Sequence, residues 1–222
     1  MARKPADQSV HRDDIIAAAA DVLRRRGYET TTMSDIAAEV KMTAASLYHH
    51  FRNKDSLLLA VLELGLELAI SRIEPIACSD APADDKLRDM IRQHIVGVCN
   101  NTAVGAAMVF EIRTLMNAKA PTKNATPEAI ASYHEFVDQR AAFFVRRDHF
   151  EELFRRVVQS GMEAGVFRAV DVPIFVKTLL GANNWVGVWY RPDGRLNGEA
   201  IAELIEDYFL ISLLKKVLID HK

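Results

Sequence analysis

The sequence of 222 residues predicts an all-α protein, because apolar residues recur every three or four positions along most of its length. No stretch shows the strict alternation of apolar and polar residues that is typical of a half-buried strand. Proline, glycine and cap-type residues divide the pattern into about nine helices. Three short helices form a predicted N-terminal domain over residues 1–55, and the others form a larger C-terminal helical bundle over residues 56–222.

The first predicted helix runs from His11 to Arg26 and follows a polar segment, residues 1–10, that we expect to form an arm. Apolar residues from Ile15 onwards recur at helical spacing and form a single buried stripe. Gly27 follows directly and is the residue type that most often ends a helix.

Two short helices follow, separated by a turn at residues 41–42. Thr32 or Ser34 opens the first of them, because either hydroxyl can accept a hydrogen bond from a free backbone N–H. Thr43 is an equally good cap for the second, which we predict over residues 44–51.

The second short helix has an unusual outer face. Leu47 and Phe51 lie four positions apart and face inward. The outer face carries Ala44, Ala45, Ser46, Tyr48 and His49. Small side chains allow close approach, and hydroxyl, phenol and imidazole groups can reach phosphates and base edges, as a recognition helix in the DNA major groove requires. The alternative is a short surface helix with an exposed tyrosine, and spacing alone does not decide between them.

The string SLYHHFRNKDSLL, which follows TTMSDIAAEVKMTAA, resembles the DNA-binding domain of the TetR family of repressors. In that family a T-x-x-x-I-A segment precedes the turn, and LYxHF-x-x-K-x-x-L follows it. The resemblance covers residues 32–58, and it implies a helix-turn-helix domain that binds a double-stranded DNA operator. The candidate DNA-binding residues are Thr32, Thr43, Ala44, Ala45, Ser46, Tyr48, His49 and Lys54.

A long helix capped by Asn53 leaves this domain, runs to about Glu74 and is ended by Pro75, which cannot continue a helix. It is the natural lever between the two domains. Further helices are predicted over residues 86–99, 103–115 and 130–165, over a segment capped by Asp171, and over 199 to about 219.

The bundle combines many aromatic residues with arginines. Aromatic side chains are typical of a core, but their number also suits an apolar ligand cavity between helices. The arginines can form a solvated face, or a cationic rim that binds a carboxylate or phosphate. The candidate ligand-binding residues are Met108, Glu111, Arg113, Phe143, Arg147, Phe150, Phe154, Arg155 and Trp185.

The segment GANNWVGVWYRP, residues 181–192, is similar to that of TetR-family regulators that respond to acyl-CoA thioesters. A hydrophobic tail with a phosphate-bearing head would match the mixture of aromatic and basic residues. The resemblance therefore implies a small-molecule effector of the hydrophobic or acyl-CoA type.

The last helices carry apolar residues on more than one face, which indicates a second partner surface. The family resemblance implies a homodimer here, which would pair two DNA-binding domains on a palindrome. Changing Leu210 or Leu213 to arginine is expected to disrupt that seam.

Other functional classes find little support. The formal net charge of -2 gives no overall basic signature, although a local patch can suffice for DNA. No nucleophile elbow, phosphate-binding loop or dinucleotide fingerprint occurs, and Cys78 and Cys99 lack metal-ligand spacing. We predict no catalytic residue, metal or cofactor, no membrane association and a cytoplasmic location. The alternative class is a helical-bundle enzyme or small-molecule carrier that retains a DNA-binding front end.

Overall fold

The computed structural model describes residues 11–122 and 124–214, and these residues confirm the all-α prediction. They form ten helices: α1 Arg12–Arg26, α2 Met33–Glu39, α3 Ala44–His50, α4 Lys54–Ala77, α5 Ala83–Asn100, α6 Thr102–Phe110, α7 Ile112–Met116, α8 Pro127–Glu163, α9 Val172–Trp189 and α10 Gly198–Leu213. Within the described ranges, the extended pairing is limited to one isolated bridge between Phe167 and Leu214. No helix among these residues is long and apolar enough to cross a bilayer.

Side-chain caps set the starts of the N-terminal helices. Thr32 accepts a hydrogen bond from the backbone N–H of Asp35, and Asn53 accepts one from Ser56. These contacts confirm the predicted caps and select Thr32 over Ser34. Gly27 ends α1 at φ 75°, in the left-handed region that favours glycine.

Helix α4 spans 24 residues and is therefore about 36 Å long. Pro75 lies inside its last turn, so the prediction that the helix stops before this proline was wrong by one turn. The helix begins next to α3 and packs against α1, α5, α6 and α8. It therefore connects the N-terminal domain to the middle of the bundle, as expected of a lever.

The helix predicted over residues 103–115 is broken at Glu111, which produces the tenth helix. Helix α6 crosses α9 where Gly105 faces Gly187. A Cβ on Gly187 would lie 3.2 Å from backbone atoms of Gly105, so the two helices touch backbone to backbone.

Helix α10 ends at Leu213, and the predicted extension to about residue 219 lies outside the described residues, as does the predicted arm over residues 1–10. Leu210 and Leu213 are 2% and 0% exposed. They therefore pack inside their own chain, and the prediction that they form the dimer seam was wrong. The exposed apolar side chains on α9 and α10 are Ile174, Trp185, Trp189, Leu204, Tyr208 and Ile211.

Candidate functional site

Helix α3 presents the outer face that its sequence predicts. Leu47 and Phe51 are buried beneath it, with exposures of 0% and 4%. Tyr48 is 51% exposed, and Ala45 and His49 are exposed beside it. The face is thus available to a large partner rather than packed against the rest of the chain.

Two of the candidate hydroxyl groups on this surface serve as caps. Thr43 Oγ1 accepts from the N–H of Ser46 at 3.1 Å and lies 2.9 Å from the Ser46 hydroxyl. Thr32 Oγ1 donates to Asp35 Oδ2 at 2.6 Å and accepts from the Asp35 N–H at 3.2 Å. These bonds fix the starts of α2 and α3, and a DNA contact from either threonine stays a prediction.

The side chain of Lys54 forms hydrogen bonds within the N-terminal domain. Its ammonium donates to the carbonyl oxygens of Tyr28 at 2.7 Å and Thr31 at 2.8 Å. It also lies 4.0 Å from the centre of the Tyr28 ring, in a cation–π contact. An ammonium has three N–H donors, so one remains for the predicted phosphate contact.

Glu111 connects the bundle to the N-terminal domain. Its Oε1 accepts a hydrogen bond from the backbone N–H of Tyr28 at 3.0 Å, and its Oε2 accepts from the Thr114 hydroxyl at 3.1 Å. Glu111 is 8% exposed. On the other side of this contact the Tyr28 hydroxyl donates to Asp55, and burial together with that carboxylate raises the pKa of Tyr28.

A cavity of about 480 Å³ lies between α4, α5, α6, α8 and α9. Its apolar wall comes from Leu66, Leu68, Ala69, Val98, Val104, Met108, Phe150 and Leu180. Gly65, Gly97, Gly105 and Gly181 lie in the helices around it. The first three allow close packing of Val104, Arg72 and Val98, and only Gly181 leaves open space where a Cβ would be.

The inner wall also contains polar groups. His94 is 7% exposed and its Nδ1 lies 3.3 Å from the amide nitrogen of Asn183. Burial lowers the pKa of His94 to about 4, so the imidazole is neutral near pH 7. Asn184 and Arg72 border the same space.

The mouth of the cavity at α8 and α9 is charged. Arg147, Glu151 and Lys177 line both the cavity and an adjoining polar groove, which continues to Arg155. Although burial acts to raise it, hydrogen bonds from Lys177 and Arg155 hold the pKa of Glu151 below its ordinary value. Glu151 is therefore an anion that forms ion pairs with both cations, whereas Arg147 has no ion-pair partner within residues 11–122 and 124–214.

Two family models match these two parts of the chain. Residues 15–61 match bacterial regulatory proteins of the tetR family, and residues 130–213 match the tetracyclin repressor-like C-terminal domain. The protein belongs to the TetR family. It is thus a DNA-binding transcriptional regulator with a ligand-binding C-terminal domain, and the enzyme alternative has no support among its relatives.

Several transcriptional regulators are similar to this TetR-family chain over nearly their whole length. The transcriptional repressor KstR2 of Rhodococcus jostii strain RHA1 is 25% identical over 91% of this chain and 93% of its own. The crystal structure of PfmR from Thermus thermophilus has 28% identity and a TM-score of 0.73, over 90% and 99% of the two chains. AibR in complex with isovaleryl coenzyme A and operator DNA has 26% identity and a TM-score of 0.71, over 89% and 96%.

The structure brings together part of the predicted ligand-binding set. Met108, Arg147 and Phe150 line the cavity. The others lie elsewhere. Phe143 and Phe154 are fully buried in the core, and Glu111 binds Tyr28. Arg113 is exposed on α7, Arg155 lies in the groove beside Glu151, and Trp185 is half exposed and packs against Phe110. Spacing indicates a helical stripe, but it does not say which stripe faces a cavity and which faces the core.

Sequence reasoning missed the polar residues of the cavity. Arg72, His94, Lys177 and Asn184 were not candidates, because isolated polar residues on a helix are common. One signal was available. Gly97 and three other glycines interrupt helices that have no need of flexibility, and a glycine inside a helix indicates close approach or open space.

Proposed function

We propose that this TetR-family protein is a homodimeric repressor that binds a palindromic operator and leaves it when an acyl-CoA thioester enters the bundle. The proposal rests on one observation: the cavity has an apolar wall, and charged side chains surround its opening at α8 and α9. A tail of apolar carbon atoms fits the wall around Val104 and Phe150, and phosphate groups suit the guanidinium of Arg147 at the mouth.

Two observations support this class of effector. AibR was crystallised with both isovaleryl coenzyme A and operator DNA, and its structure matches 89% of this chain. The second support is the cavity volume of about 480 Å³, which is the size of typical small-molecule sites and suits an acyl group rather than the whole cofactor. The nucleotide part of the thioester would therefore remain in the groove outside the mouth.

Two routes lead from the cavity to the DNA-binding surface. Helix α4 lines the cavity between Gly65 and Arg72 and begins beside α3 at Lys54. Helix α6 lines it at Met108 and ends at Phe110, and the next residue, Glu111, accepts a hydrogen bond from the Tyr28 N–H. An effector that separates these helices shifts the N-terminal domain, and the two domains of a dimer then no longer match half-sites one turn apart.

The dimer surface that fits this scheme lies on α9 and α10. Trp189, Leu204, Tyr208 and Ile211 are 48%, 42%, 68% and 73% exposed. Large apolar side chains exposed together on the last two helices are typical of a protein–protein interface. A two-fold contact through it pairs two identical N-terminal domains.

The test is a titration of the operator complex with octanoyl-CoA, isovaleryl-CoA, octanoate and octanol, followed by fluorescence anisotropy of the DNA. We expect the thioesters to release the protein at the lowest concentrations. Arg147→Ala should weaken release by about tenfold, because a charge-assisted hydrogen bond is lost. Arg146→Ala is the matched control, since this exposed neighbour does not line the cavity. Release by octanol with every thioester inactive would overturn the effector class.

A further inference from the structure

The guanidinium of Arg72 lies against a glycine on the neighbouring helix. Arg72 lies on α4, and Gly97 faces it from α5. A Cβ at Gly97 would lie 3.5 Å from Arg72 Cζ. It would lie even closer to Nη1, at a distance shorter than two non-bonded atoms can approach. The guanidinium therefore occupies the space that any other residue at position 97 would fill.

Arg72 is a charged group without a counter-ion in the part of the chain that the structure describes. Some arginines of the bundle are paired, as Arg155 is with Glu151 and Arg92 with Glu206 at 2.6 Å, whereas Arg72, like Arg147, is not paired within the described ranges. No ion pair joins Arg72 to a carboxylate among residues 11–122 and 124–214, and the residue lines the cavity at an edge where it is also exposed to solvent. A cation left without a partner in a cavity wall is available to an anion that enters the cavity.

His94 adds a hydrogen-bond donor to the same wall. The amide of Asn183 donates to Nδ1, so the proton of the neutral ring lies on Nε2. Arg72 is near enough to act on the imidazole, since its charge contributes to the low pKa of His94 after the larger effect of burial. The ring therefore carries an N–H without adding a second positive charge, and an entering anion would share this group with the side chain of Asn184, which also hydrogen-bonds to the ring.

We propose that Arg72, which lies over Gly97, and His94 form an oxyanion-binding subsite in the cavity wall at α4 and α5. A guanidinium presents two parallel N–H groups that match the two oxygens of a carboxylate or phosphate, and the imidazole N–H supplies a further donor. The subsite lies apart from Arg147 and Lys177, which belong to α8 and α9. This inference rests on the proposed function, because it assigns a second polar contact to the same effector.

The subsite would let the effector contact α4 directly, and α4 is the helix that connects the bundle to the N-terminal domain. Arg72 belongs to α4, the helix that starts at Lys54 in the N-terminal domain. An anion bound at Arg72 therefore acts on α4 itself, whereas one bound only at Arg147 acts on α8. The oxyanion has two sources, the carboxylate of a free acid and a phosphate of coenzyme A, and the subsite chemistry is common to both.

The experiment compares the wild type with Arg72→Gln, Gly97→Ala and Gly181→Ala by isothermal titration calorimetry. Gly97→Ala displaces the guanidinium without changing its charge, and only a flexible side-chain end must move. Gly181→Ala is the matched control, because this glycine lines the same cavity and a Cβ there meets nothing within 4 Å. The probes are octanoyl-CoA, octanoate and octanol.

Arg72→Gln and Gly97→Ala should each weaken an acidic probe by about 10- to 100-fold, the range for a hydrogen bond to a charged group. Octanol, and every probe with Gly181→Ala, should bind as to the wild type. A loss confined to octanoate assigns the carboxylate, and a loss confined to octanoyl-CoA assigns the phosphate. Equal affinity of Arg72→Gln and wild type for both acidic probes, or no binding of either to the wild type, overturns the subsite. Binding of octanoyl-CoA at Arg72 without operator release overturns the proposed function and leaves the subsite standing.

Discussion

Replacing Glu111 by alanine should loosen the link between the bundle and the N-terminal domain. The substitution removes the acceptor for the Tyr28 N–H at 3.0 Å and for the Thr114 hydroxyl at 3.1 Å. A hydrogen bond to a charged group contributes about 1.5–3 kcal/mol, and the lower value suits Tyr28 because its surroundings are only partly buried. At this chain length 1 kcal/mol corresponds to about 2–4 °C in Tm, so Glu111→Ala should lower Tm by about 3–6 °C.

The functional consequence follows from the same free energy. A loss of about 1.4 kcal/mol in coupling corresponds to a tenfold change, so up to about ten times more effector should be needed for half-release from the operator. Effector affinity in the absence of DNA should be unchanged, because Glu111 does not line the cavity.

Differential scanning fluorimetry, calorimetry and the anisotropy titration measure these three quantities. Glu111→Gln retains a carbonyl acceptor for Tyr28 and should lose less than half as much stability. Arg113→Ala is the matched control on the exposed side of α7. An unchanged Tm and an unchanged release curve for Glu111→Ala would refute the role assigned to this bond, and weaker effector binding would return Glu111 to the cavity.

Three further predictions concern the DNA-binding surface, the dimer surface and the core. Ala45→Glu should abolish operator binding in an anisotropy assay without lowering Tm, because it places a carboxylate on the exposed face of α3 against phosphates; Ala131→Glu, exposed on α8, should bind normally. Ile211→Arg should give monomers in sedimentation with weak operator binding, since this side chain is 73% exposed on the proposed dimer face, and a persistent dimer would place the interface elsewhere. Leu210→Arg should instead unfold the chain, because Leu210 is only 2% exposed within the monomer.

Local signals in the sequence predicted most of the helix starts. Thr32, Thr43, Asn53 and Asp171 are capping residues in the structure, and each was predicted from its hydroxyl, amide or carboxylate at the start of an apolar pattern. Helix ends were less reliable. Helix α4 continues past Pro75 to Ala77, although the proline has no N–H to donate to the carbonyl four residues earlier.

The cavity was only partly predictable, because its wall depends on how five helices pack rather than on the pattern of any one. Phe150 and Phe154 lie one turn apart on α8, yet only Phe150 borders the cavity. Composition correctly predicted a cavity that combines apolar surface with arginine. It also assigned Arg155 to this cavity, but Arg155 forms an ion pair with Glu151 in the adjoining groove. Arg72 and His94 are adjacent only through the contact of α4 with α5, which no spacing rule reports.

The bond between Glu111 and Tyr28 constrains the two positions unequally. Its donor is a backbone N–H, which every residue except proline supplies, so position 28 can change its side chain without losing this bond. Its acceptor is a side chain of limited reach, and among ordinary substitutions only glutamine keeps both the length and the oxygen. A comparison of many related sequences should therefore show residue 111 restricted to acidic or amide types with no matching substitutions at residue 28. Methods that detect contacts from paired substitutions would leave this link between the two domains unrecorded.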